Sequence, residues 1–123
     1  MKKILILLLF VSFNAIGAGT SSSTDDSTQT ADQIIKLYEL AEKHIDNQNY
    51  NKSLKLLKKL TKREDLGTKR ADIYNLLGFS YRKLENPDLD KSFAAYMMAI
   101  ELDPSHLGAH EYLGELYLMR DQK

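Results

Sequence analysis

Leu77-Gly78-Phe79-Ser80-Tyr81 recurs as Leu113-Gly114-Glu115-Leu116-Tyr117, at an offset of 36 residues. This self-similarity constrains the fold more than any other feature, because one supersecondary unit is then used more than once. A unit of that size cannot bury its own apolar face. It needs a neighbour on which to stack. Between the two copies lie Ser92, Tyr96, Ala99 and then Leu102-Asp103-Pro104.

The residues around the repeat are helical in character, with no alternating strand pattern from Ala31 onward. Over 31–47, Ile34, Ile35, Leu37, Leu40, Ala41 and Ile45 form one apolar stripe, and Asp46-Asn47-Gln48-Asn49 reads as a polar turn. A second helix is predicted over 50–63, with Tyr50, Leu54, Leu57 and Leu60 inward and a lysine-rich outer face. A connector from Glu64 to Thr68, containing Gly67, leads to a third helix over 69–84. Asn86-Pro87-Asp88 is both a stop and a start signal. The fourth helix runs to about Leu102, where Asp103-Pro104 closes it, and the fifth starts near His106 and continues to the last residues. Five helices with short connections imply an antiparallel all-α stack.

The span from Tyr74 to Pro104 resembles the tetratricopeptide repeat, a helix-turn-helix unit of about 34 residues. The additional length of this chain's period falls in the Glu85–Asp90 turn, where an insertion disturbs packing least. The resemblance implies a short right-handed α-solenoid over 31–123, built from about two and a half antiparallel units. It assigns a signature core to Tyr74, Leu77, Gly78, Tyr81, Ser92, Tyr96, Ala99, Pro104, Leu113, Gly114 and Tyr117. Gly78 removes a side chain so that the paired helix can approach closely, and Tyr74 and Tyr81 fill the space between the two helices. Ser92 and Ala99 are small where helices cross, and Tyr96 fills a gap. Pro104 cannot continue a helix and sets the turn into the next unit. Ser92 stands where the family usually has alanine. The first unit is more divergent: Tyr50-Asn51-Lys52-Ser53 opens its second helix, Leu40-Ala41 replaces Leu-Gly, and His44 takes the tyrosine position. The third unit has only its first helix before Lys123.

The first thirty residues read differently. Lys2 and Lys3 precede an apolar run from Ile4 to Phe13, and the small residues Ala15, Gly17 and Ala18 follow. That is the pattern of a secretory signal over 1–18, and Asn14 ends the run well short of the ~20 apolar residues a membrane span needs. Residues 19–30, GTSSSTDDSTQT, lack large apolar side chains and read as a flexible linker. The expected location is therefore periplasmic or secreted, with no stable membrane span after cleavage. With 17 basic and 17 acidic residues, the chain has no general pull on nucleic acid. It contains no cysteine, which removes disulfides, thiolate metal sites and cysteine nucleophiles.

Catalytic patterns are missing. His110-Glu111 is followed by Tyr112, Leu113 and Gly114, so the second ligand of the zinc-hydrolase motif is lacking. His106 and His110 lie four apart without an evident third ligand, and the resemblance places His110 and His44 at core positions. Asp88 and Asp90 lack calcium-loop spacing and fit a helix N-terminus. Lys52, Lys55, Lys58, Lys59, Lys62 and Arg63 make a solvated outer face. Phe93, Tyr96, Met97, Met98 and Ile100 read as core. No enzyme activity and no cofactor are expected.

In the family that the sequence resembles, the first helices of successive units line a groove for peptides or partner proteins. By position, that groove would present Tyr38, Glu42, Asp72, Asn75, Phe79, Arg82, Lys83, Glu111 and Glu115. One subgroup grips a C-terminal carboxylate with lysine, asparagine and arginine. The corresponding positions here hold Tyr38, Glu42, Leu76, Gly108 and Tyr112, so that clamp is absent. The implied role is an adaptor or scaffold in the cell envelope with a protein or peptide partner. The alternatives are a self-associating structural module or a ligand- or metal-binding accessory protein. Self-association has its own motive. Tyr112, Leu113, Leu116, Tyr117, Leu118 and Met119 exceed the single stripe one neighbouring helix can bury, which leaves Leu118 and Met119 exposed.

Overall fold

A proline and an aspartate show most directly how local sequence sets the elements. Asp88 stands just after Pro87, and its carboxylate accepts a hydrogen bond from the backbone N–H of Lys91 at 3.1 Å. One of the orphan donors of the helix that follows is thereby satisfied. The computed structural model describes residues 30–121, and among them there are five helices and no strand. They are α1 (30–46), α2 (Tyr50–Thr61), α3 (Lys69–Lys83), α4 (Leu89–Leu102) and α5 (Leu107–Asp121). The expected signal at 1–18, and all but the last residue of the linker at 19–30, lie outside the described residues. Among the described residues, no helix is long and apolar enough to cross a membrane.

The turns follow backbone chemistry. Gln48 and Gly67 take left-handed conformations with φ of 59° and 54°, in the α1–α2 and α2–α3 connections. At Gly67 this costs nothing sterically. Lys58 and Lys59 sit in the last turn of α2, where cations oppose the negative end of the helix dipole.

Residues Ile34–Lys123 gather into a compact unit of their own. Within it α2 packs on α3, α3 on α4 and α4 on α5, and α3 also meets α5. One core joins Ile34 and Ala41 of α1, Leu54, Leu57 and Leu60 of α2, and Ile73, Leu77 and Tyr81 of α3. A second, smaller core joins Leu89 and Tyr96 of α4 to Leu116 of α5. Small polar residues sit at the closest crossings. Ser53 and Ser80 share a buried hydrogen bond of 2.7 Å between α2 and α3. The Ser92 hydroxyl of α4 donates to the Gly78 carbonyl of α3, also at 2.7 Å. Each hydroxyl therefore has a partner where burial would otherwise penalise it.

Several expectations about burial are corrected. In α1 only Ile34 and Ala41 of the expected stripe are buried, and Ile35 and Leu40 are exposed. Met97 and Met98 also face outward, because Ser92, Ala95, Tyr96 and Ala99 already fill the buried side of α4. Leu118 is exposed as expected, but Met119 is half-buried against the second core. Gly114, Tyr117 and Pro104, assigned to the signature core, are exposed, and Leu113 and Tyr74 are half-buried. In α5 only Ala109 and Leu116 are buried, because no further described helix covers its other side.

Candidate functional site

The expected groove residues fall on α1, α3 and α5, and a row of contacts links the three helices. Lys69 Nζ lies 4.7 Å from the centre of the Tyr38 ring and 3.9 Å from Asp72 Oδ2. Asp72 Oδ1 is 2.8 Å from His106 Nε2, at the start of α5. Further along, the Phe79 and Tyr112 rings stand 5.1 Å apart and tilted. Tyr50 meets the other side of Phe79 edge-on at 6.2 Å. At the far end, Arg82 Nη1 pairs with Glu115 Oε2 at 2.7 Å.

His106 is the hinge of this row, and sequence reasoning assigned it nothing of the kind. The backbone N–H of Ala109 donates to its Nδ1 at 3.1 Å, so the imidazole caps the first turn of α5 as a serine or aspartate would. With Nδ1 accepting, the ring proton sits on Nε2 and is donated to Asp72. A residue 34 positions earlier thus helps to orient the last helix. A histidine directly before a helical run, two residues after proline, was the only signal. His110, expected in the core, is exposed, and its Nε2–H is given to the Pro104 carbonyl at 2.8 Å. Among the described residues, no group of three or more histidines, aspartates or glutamates is placed to hold a metal ion.

Arg82 and Asn75, expected to present themselves to a ligand, are instead buried, at 7% and 8% exposure. Arg82 lies over the Phe79 and Tyr112 rings, 5.4 and 5.5 Å from their centres, and its Nε reaches the Tyr96 hydroxyl at 3.4 Å. A guanidinium stacked on two rings and paired with a carboxylate is a structural brace more than a free hand. The Asn75 carbonyl oxygen is buried without a hydrogen-bond partner. Tyr38, Asp72 and Phe79 are half-buried, and Glu42, Lys83, Glu111 and Glu115 are exposed around them. Burial, then the charges of Glu42 and Asp72, push the Tyr38 hydroxyl well above the ordinary tyrosine range. Burial likewise raises that of Tyr96. Both stay neutral hydrogen-bonding groups, and neither is poised to give up a proton at physiological pH.

The face is an aromatic floor with a charged rim, not a deep cavity. Hollows in the described surface lie elsewhere, one at Asn86–Asp90 against Arg120 and another between the lysines of α2. Comparison of the chain with known protein families, with curated proteins and with solved structures finds no match.

Proposed function

We propose that the chain is an exported tetratricopeptide-repeat adaptor that holds a segment of a partner protein against the face shared by α1, α3 and α5. The contact row across those helices carries this reading. Lys69 bridges Tyr38 and Asp72, Asp72 meets His106, and Phe79 meets Tyr112, so α3 is joined to α1 on one side and to α5 on the other. Half-buried aromatic rings supply area at low entropic cost, and exposed Glu42, Lys83 and Glu111 supply orientation. Such a surface suits an extended or helical peptide of mixed character. The close match of Tyr74–Pro104 to the repeat pattern supports the stacking of helix-turn-helix units, and the basic, apolar and small residues of 1–18 support export. On this reading the protein binds and positions, and carries out no reaction.

The test is capture of proteins from an envelope extract by the parent chain and by Phe79→Ala and Glu111→Lys variants. The parent should retain a discrete partner, and each variant should lose it by about tenfold or more in affinity, the scale of a central interface residue. Equal retention by all three would move binding off this face.

A further inference from the structure

We propose that α5 pairs antiparallel with α5 of a second copy, the Tyr117 ring of each chain seated on Gly114 of the other. The proposal goes beyond the groove reading and does not depend on it. Within one chain the same arrangement already exists at the preceding repeat. A side chain begun at Gly78 would meet the Tyr96 ring at 2.7 Å, so the ring occupies the space that the glycine leaves. At Gly114 the corresponding space holds nothing within 4 Å among the described residues. The seat is present and its occupant is missing.

The occupant that α5 can itself supply stands three residues on. Tyr117 is 48% exposed, and residues three apart lie on neighbouring positions of one helix face. In a two-fold contact, residue i of one copy meets j of the other, and j meets i. One antiparallel register therefore fills both glycine seats at once. The same register sets His110 opposite Asp121, both exposed, so an imidazole faces a carboxylate at each end. His110 gives its Nε2–H to Pro104, which leaves Nδ1 on the side free to face Asp121 of the second copy. Beside this row Leu118 is 64% exposed, apolar area that pairing would remove from water. A second copy thus offers shape at the centre and charge at the ends, with nothing further required.

The native chain has no cysteine, which makes the register directly readable. Full chains carrying Gly114→Cys and Tyr117→Cys are mixed under mild oxidation. The expected product is the mixed disulfide, in excess over either symmetric one. In sedimentation of the full chain, Gly114→Leu should weaken self-association about tenfold or more while leaving the melting midpoint in place, since a Cβ at this position has no neighbour within 4 Å among the described residues. His110→Asp should weaken it as well, and adding Asp121→Lys should restore it, which a merely sticky surface would not do. Three results would each overturn the proposal: no preference for the mixed disulfide, self-association indifferent to Gly114→Leu, or a chain that stays monomeric at about 1 mM. A foreign helix that binds at Gly114 while the chain itself remains monomeric would assign the face to a different protein.

Discussion

Gly78 and Gly114 occupy the same place in two copies of one pentapeptide, yet their surroundings differ completely. Gly78 is buried under α4, with the Tyr96 ring against it and Ser92 bonded to its carbonyl. Gly114 is exposed, and among the described residues nothing lies within 4 Å of where its Cβ would stand. The same Leu-Gly pair and the same tyrosine three residues on therefore do not mean the same burial. What differs is whether a following helix crosses the row. A signature residue is an offer to pack, and only a partner turns it into core.

The contrast is most exposed to failure at the two tyrosines that follow the glycines. Tyr81 is 8% exposed within the first core, so Tyr81→Ala should cost about 3–5 kcal/mol in a denaturant titration. Tyr117→Ala should cost about 1 kcal/mol or less, because that residue is already 48% exposed and meets Phe93 edge-on. Equal losses would mean that the two units are covered alike. The glycines themselves come next. Gly78→Leu should destabilise by about 1–3 kcal/mol through overpacking against Tyr96. Gly114→Leu should leave stability unchanged or raise it by up to about 1 kcal/mol, since leucine is the better helix former. A matching loss at both sites would reveal a covering that the contacts around Gly114 do not include.

Ser92→Ala probes the same crossing more gently. It removes the bond to the Gly78 carbonyl but keeps the small volume, so about 0.5–1.5 kcal/mol should be lost. The smallest effect belongs to the turn that launches α5. The Ser105 hydroxyl and backbone N–H hold the Asp103 carboxyl below its usual range. A lowered carboxyl pKa contributes stability that is present above the unfolded value, about 3.9, and is lost as pH falls through the folded one. Asp103 lies in a surface turn and stays partly open to solvent, so the acid-limb shift should be slight. Ser105→Ala should remove most of it in melts recorded at decreasing pH.

How much of this was legible in the sequence depended on the range of the forces involved. Helix limits were readable because their causes are local: Asp88 caps, Pro87 and Pro104 interrupt, and Gly67 turns with positive φ. The crossing at Ser92 and Tyr96 was readable through the resemblance to the tetratricopeptide repeat, which implies a small residue and a large one at those positions. Burial at the edges of the fold was not. Ile35 and Leu40 belong to the apolar stripe of α1, but the core takes in Ile34 and Ala41, with Leu37 half-buried against it, and leaves those two outside. The candidate site was legible in its membership and not in its accessibility. The resemblance placed Arg82 in the groove, yet its long side chain folds over two rings and is 7% exposed. The link from Asp72 to His106 spans two helix–turn connections, and no local pattern announces such a pairing.

The clasp at His106 has a consequence for the order in which the molecule comes apart. Eight residues of α3 are buried and only two of α5, so the last helix has much less to lose by opening. Its first turn is fastened by a capped amide and a bond to Asp72, whereas Leu118 near its end is 64% exposed. Amide exchange should accordingly be graded along α5, slowest beside Ala109 and fastest past Leu118. The amides of α3 should exchange only when the whole unit unfolds. His106→Ala should flatten that gradient, freeing α5 from its first turn onward while the earlier helices keep their protection.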